Sequence, residues 1–154
     1  MRGDGAERPF DLEEFLPYLL NQAAEATGKS FQNVYRADYG FTRTQWRVLA
    51  NLGRFGAMTA AEICRISHTE KTKVSRAVAA LEARGLLSRS PAATDRRAED
   101  LALTPRGQEV FETLGRRAIA YDRALRDRLG PTAARDLDRV LRALIAPGPT
   151  LADE

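Results

Sequence analysis

Residues 68–85 read HTEKTKVSRAVAALEARG, and the periodicity of this stretch decides the fold. On a wheel turning about 100° per residue, Ala77, Val78 and Leu81 fall within about 60° of Val74 and form a core-facing stripe. Thr72, Arg76 and Ala79 lie opposite, flanked by Thr69, Lys73 and Ser75. That outer face carries no acid and no bulky apolar group. It can approach a polyanion closely, and its hydroxyl and cationic donors suit both phosphates and base edges. Glu70 falls in the first turn, where the helix dipole favours an acid. Gly85 supplies the C-terminal cap.

Upstream, TAAE (Thr59–Glu62) has the form of a capping box and predicts a short helix burying Ile63 and Ile66. A tight turn through Ser67, His68 and Thr69 then joins the two helices in helix-turn-helix order. Periodicity alone would fit any helical hairpin. A further capping box, TRTQ (Thr42–Gln45), opens a helix expected to bury Trp46, Leu49 and Leu52 and to end near Gly53. At the start, DLEE (Asp11–Glu14) predicts that Asp11 accepts from the amide of Glu14. Leu12, Phe15, Leu16, Leu19 and Leu20 continue at helical spacing to about Tyr35, with a kink or restart at Pro17.

Downstream, LLSRS and EDLALT are short alternating segments separated by Pro91 to Arg97, the pattern of a two-stranded hairpin. Its tip carries Asp95, Arg96 and Arg97 where a turn normally carries Gly, Asn or Pro. Thr104 and Pro105 then supply an N-cap and an N1 proline for a long helix to about Leu129. After a break at Gly130-Pro131, a last helix aligns Leu137, Val140, Leu141, Leu144 and Ile145 along one stripe. This stripe and the one on the first helix exceed what a small monomer covers and suggest a two-fold dimer interface; intrachain packing is the alternative.

The 154 residues suit one domain with a real core, and 44% hydrophobic with 29% charged residues is ordinary for a soluble globular chain. No run approaches the roughly 18 apolar residues of a membrane span, and MRGDGAERPF lacks the apolar stretch of a secretory signal, so a cytoplasmic protein is expected. Charge is unevenly placed. Residues 41–104 hold eleven Lys or Arg against six Asp or Glu, whereas residues 1–40 hold four against seven. An anionic partner for the middle of the chain follows naturally. The single cysteine, Cys64, excludes an internal disulfide or a multi-cysteine metal site, and with His68 the lone histidine no metal or other cofactor is expected. Cys64, between Ile63 and Ile66, reads as a buried small hydrophobe, with a redox-sensing regulator as the alternative. Enzyme chemistry finds no support: there is no phosphate-cradling glycine loop, nucleophile elbow or ligand cluster.

The run from Thr42 to Gly107 resembles the winged helix-turn-helix core of the MarR family of bacterial transcription regulators. The resemblance rests on FTRTQWRVL, LEARGLL and DRR followed by LALTPRG, above all on Asp95-x-Arg97 followed by Leu103-Thr104 and Gly107. It implies a mainly α fold, a winged helix-turn-helix with a two-stranded β wing, flanked by N- and C-terminal dimerisation helices. The corresponding segments are 1–40 for the first dimerisation helix, 41–104 for the DNA-binding lobe and 105–154 for the C-terminal helices. It further implies a homodimeric regulator, a repressor of a pseudo-palindromic double-stranded DNA operator, released by a small aromatic or phenolic effector. Thr69, Lys71, Thr72, Lys73, Ser75 and Arg76 would face the DNA, Arg97 would enter a minor groove and Arg96 would contact phosphate. A narrow groove concentrates negative potential and so favours a long cation over a turn-former. Asp95 could hold the Arg97 guanidinium by charge-assisted hydrogen bonds. Family effector pockets lie between the lobe and the dimer helices, where Tyr18, Tyr39, Trp46 and His68 are the candidate lining residues, although Trp46 also reads as plain core. A helical scaffold whose basic face binds an acidic protein is the competing function.

Overall fold

The computed structural model describes residues 8–93 and 95–147. Residues 1–7, most of MRGDGAERPF, and residues 148–154, the outer ends of the first and third expected segments, lie outside the described residues. The chain forms two compact units, one reaching Gln108 and the other beginning at Glu109.

The first unit starts with a correction at Asp11. Its side chain accepts from the amide of Glu13 at 2.9 Å rather than from Glu14, over a single 3₁₀ turn at Leu12–Glu14. A helix continuing through Pro17 would drive the proline ring into the Glu13 carbonyl. The chain therefore restarts as α1 (Leu16–Tyr39) with Pro17 in its first turn. This helix runs past Tyr35 to end at Gly40, whose φ of 68° lets Phe41 N–H return to the Tyr35 carbonyl.

Thr42 and Gln45 form the expected reciprocal capping box at the start of α2 (Arg43–Phe55), which continues through Gly53 and stops at Gly56. Val48, Leu49 and Leu52 are buried, while Trp46, expected among them, is half-buried. A two-residue strand β1 (Met58–Thr59) leads into α3 (Ala60–Ser67), capped reciprocally by Thr59 and Glu62. On so short a helix only a narrow strip meets the core. Ile63 is fully buried, Cys64 is half-buried rather than enclosed, and Ile66, expected inside, is 38% exposed. His68 ends α3 in the left-handed region at φ 50°, and α4 (Lys71–Ala83) follows after Glu70, its N-cap. Val74, Ala77, Val78 and Leu81 are all buried, as the wheel predicts.

Gly85 at φ 70° turns the chain into β2 (Leu87–Pro91), which pairs antiparallel with β3 (Glu99–Leu103). The expected two-stranded wing is present as β2 and β3, and Met58 and Thr59 add a third strand by pairing with Leu101 and Asp100, so the sheet has the order β1-β3-β2. The face shared by Leu87 and Leu101 is buried, and Leu103 on the same face is half-buried. Thr104 closes the lobe by donating to the Gly85 carbonyl at 2.7 Å and accepting from Gly107 N–H at 3.0 Å. Gly107 is obligatory for a steric reason: a Cβ there would lie 2.0 Å from the Leu86 carbonyl oxygen.

Helix α5 (Pro105–Leu129) begins in the first unit and continues in the second, which also holds α6 (Pro131–Ile145). Helix α5 ends where expected, and α6 resumes after the expected break. Gly130, at φ 82°, makes the break. Arg126 pairs with Asp122 at 2.8 Å and Asp138 at 3.4 Å, and Arg142 pairs with Asp138 at 3.0 Å. Leu137, Val140, Leu144 and Ile145 of α6 are exposed within the chain, as are Leu12, Phe15, Leu16 and Leu19 around the start of α1. No described helix is long and apolar enough to cross a membrane.

Candidate nucleic-acid interface

The outward face of α4 exists because its other face is spent on the core. With Val74, Ala77, Val78 and Leu81 buried, Lys71, Thr72, Lys73, Ser75 and Arg76 are all left exposed. Thr69 differs. It is half-buried, its N–H donates to the Cys64 carbonyl at 3.2 Å and its hydroxyl donates to the Ser67 carbonyl at 3.1 Å. It holds the turn between α3 and α4 and keeps only its acceptor lone pairs for a ligand.

Two open depressions flank α4. In one, Lys71 shares the lining with Arg89, Arg96 and Arg97 of the hairpin and with the first residues of α3. Helix and wing thus present cations to a common space. In the other, Lys73 and Arg76 stand beside Thr42, Thr44 and Gln45 at the start of α2. Thr44 and Gln45 were not among the residues expected at the interface. The capping box of Thr42 and Gln45 is visible in the sequence, but the packing of α2 against α4 that brings this end of α2 beside Arg76 is not.

At the wing tip Arg96 and Arg97 are exposed, but Asp95 does not hold a guanidinium. Its carboxylate accepts from the main-chain N–H of Arg97 at 2.9 Å, and its carbonyl accepts from Ala98 N–H at 3.0 Å. This is the local turn chemistry of Asp: a side chain two residues before an amide reaches that amide more readily than a long flexible guanidinium. Asp95 therefore shapes the backbone from which Arg97 projects.

At the base of the wing Arg89 bridges two acids, meeting Glu82 of α4 at 2.5 Å and Glu99 of β3 at 3.2 Å. These hydrogen bonds, the one to Glu82 foremost, push the guanidinium pKa up. Strand alternation could have revealed half of this cluster, since Arg89 and Glu99 lie on the same face as Leu87 and Leu101.

The candidate effector residues are scattered. Trp46 stacks on Tyr35 with ring centroids 5.9 Å apart and meets Phe31 edge-on at 5.5 Å. Tyr39 stacks on Phe41, whose ring also carries the Arg84 guanidinium 4.7 Å from its centroid. His68 is the exposed cap of α3. Tyr18 and Tyr39 stand near opposite ends of α1, about 30 Å apart along its axis, so they cannot line one small pocket within a chain. Nearby, Arg43 joins α2 to α1 through Glu25 at 2.6 Å and holds that carboxyl below its ordinary pKa. Burial pushes the Tyr35 phenol up, opposed by the charge of Arg43. Among the described residues no cluster of His, Cys, Asp and Glu could hold a metal ion.

A winged helix with an exposed cationic second helix is the architecture of a DNA-binding regulator, and comparison with known proteins assigns the family. Residues 39–98 match the model of the MarR family. The MarR family transcriptional regulator SPO1453 from Silicibacter pomeroyi DSS-3 is 32% identical with a TM-score of 0.78, over 89% of this chain and 97% of that one. The HTH-type transcriptional repressor MdtR of Bacillus subtilis (strain 168) is 35% identical over 82 residues, 52% of this chain and only 53% of that repressor's length. The structure of Bordetella bronchiseptica BpsR, whose DNA binding is regulated by 6-hydroxynicotinic acid, is 24% identical with a TM-score of 0.77, over 91% of this chain and 99% of that one. The chain belongs to the MarR family, whose members are transcription regulators and not enzymes.

Proposed function

We propose that this protein is a cytoplasmic, homodimeric repressor that reads a pseudo-palindromic operator and is released from it by a small aromatic ligand. The observation that carries the reading is the acid-free outer face of α4, on which Thr72, Lys73, Ser75 and Arg76 are all exposed, with Lys71 exposed at the edge of the helix's core stripe. Lys73 and Arg76 suit the base edges of a major groove, with Thr72 and Ser75 beside them, while Arg97 suits the adjacent minor groove and Arg96 its phosphates. Dimerisation gives the exposed leucines of α6 and of the α1 region an apolar partner. The repressor role draws on the likeness to MdtR, and release by an aromatic acid draws on the likeness to BpsR.

Selecting bound sites from random duplexes, with the mass of the complex measured by light scattering, tests the core of this reading. Two-fold related helices should return pseudo-palindromes with half-sites about 10 bp apart, centre to centre. Asymmetric single half-sites bound by one chain would defeat the dimer. Lack of DNA affinity at low salt would instead favour the acidic-protein scaffold. A panel of aromatic acids should then weaken operator binding, and by reciprocity operator should weaken the acids. Affinity unmoved across the panel would remove the effector.

A further inference from the structure

The face of the hairpin that packs against α4 changes character along its length. Leu87 and Leu101 are buried there, and in the antiparallel register Arg89 lies opposite Leu101 while Glu99 lies opposite Pro91. Strand alternation keeps all of these on one face. Where the apolar face runs out toward the tip, an ionic cluster takes its place, with Arg89 between Glu82 in the last turn of α4 and Glu99 at the first position of β3.

Two features make this cluster hard to explain as stabilisation alone. All three side chains are more than a third exposed, the condition in which ion pairs contribute little to folding. An acid in the last turn of a helix also opposes the macrodipole, and that turn of α4 contains no base. Two carboxylates close to a surface meant for a polyanion are costly unless a cation neutralises them. What the cluster does supply is a fixed relation between two rigid elements. Arg89 is the only described cation that ties the end of α4 to both the strand entering the wing tip and the strand leaving it. It also lines the depression shared by Lys71, Arg96 and Arg97.

We propose that Arg89 is a positioning residue for DNA reading: by clipping the wing to the last turn of α4 through Glu82 and Glu99, it sets the reach of Arg97 relative to Arg76. The inference rests on the groove role proposed above for Arg97. A wing so clipped enters its groove without first losing hinge freedom, so the entropy cost of inserting Arg97 is met during folding rather than on binding.

The test is a double-mutant cycle on the full chain with the selected operator, read by fluorescence anisotropy at several salt concentrations. Arg97→Ala should weaken binding about tenfold in the native background, the effect of one charged contact. In an Arg89→Met background the same change should cost less than about twofold, because the loosened wing no longer delivers Arg97. Arg89→Lys should restore part of the difference. Glu82→Gln gives an independent sign: charge alone predicts tighter binding after an acid is lost, whereas the clip predicts weaker binding. An equal cost of Arg97→Ala in both backgrounds, or tighter binding by Glu82→Gln, overturns the role of Arg89. If Arg97→Ala costs nothing in the native chain, the groove role of Arg97 fails and the inference falls with it, a result distinct from equal costs. Thermal unfolding of each variant separates folding from positioning. Should Arg89→Met fail to fold, Glu82→Gln still decides.

Discussion

The Asp95 carboxylate accepts a hydrogen bond from the Arg97 main-chain N–H at 2.9 Å and makes no ion pair with the Arg97 guanidinium. The distinction fixes what substitution should do. Asparagine keeps an acceptor oxygen in the same place, so Asp95→Asn should preserve the turn and bind DNA as well as or better than the native chain, having shed a negative charge. Asp95→Ala removes the acceptor and should lose about 1 kcal/mol, close to fivefold in Kd. Anisotropy titrations of the two variants decide it, and weaker binding by the asparagine variant would restore a direct grip on the guanidinium.

Arg76 and Arg97 should fail in different ways. Arg76→Ala is expected to cost about 1 to 3 kcal/mol at the preferred site and to blur one position in each half-site. Arg97→Ala should weaken binding to all duplexes, most with narrow A·T-rich flanks, and lower the salt slope by about one unit per wing. Site selection repeated with each variant, alongside salt titrations, separates the two; identical selected sites for native and Arg76→Ala protein would take base reading away from Arg76.

Helix α5 offers two glycines of opposite sign. A methyl at Gly107 would meet the Leu86 carbonyl oxygen at 2.0 Å, whereas nothing lies within 4 Å of one at Gly115. Gly107→Ala should destabilise by at least about 3 kcal/mol, since backbone must move, and Gly115→Ala should stabilise by about 0.5 to 1 kcal/mol through lost chain entropy. Denaturant unfolding of both variants is the measurement. A Gly107→Ala protein as stable as the native one would mean that the start of α5 does not approach Leu86 so closely.

Acid should loosen the second unit. The Asp138 carboxyl lies below its ordinary pKa because Arg142, and after it Arg126, favour the anion. A depressed folded-state pKa adds stability above the unfolded value, near pH 4, and that contribution disappears as pH falls through the folded value. Thermal midpoints followed downward from about pH 5 should fall, and Asp138→Asn should flatten part of the slope. The contribution is small because the group is exposed; an unchanged slope would show that Asp138 titrates normally.

What was legible in the sequence was local or periodic. The boxes at Thr42 and Thr59, the stripe from Val74 to Leu81, the turn at Gly85 and the Thr104 cap all depend on residues a few positions apart, and all are present. The two residues of β1 carry no alternation of their own and become a strand only because Leu101 and Asp100 arrive from some forty positions away. Thr44 beside Arg76 and Glu82 beside Arg89 depend likewise on how elements pack. The expected partner of Asp95 was wrong for a different reason. Opposite charge suggested a salt bridge, and the nearer main-chain amide won on geometry. The expected effector residues are not gathered within one chain, since a helix of 24 residues keeps its two ends apart.

The three-stranded sheet has a further consequence for life at high concentration. With β3 in the centre, the strands left with open edges are β1, only two residues long, and β2, which carries Arg89 and ends in Pro91. A very short strand offers almost no template for pairing, and a strand edge bearing a charge and a proline resists extension by another chain. At high concentration the wings therefore resist fusing into a continuous sheet, and the hairpin stays discrete, as the groove role proposed for Arg97 requires.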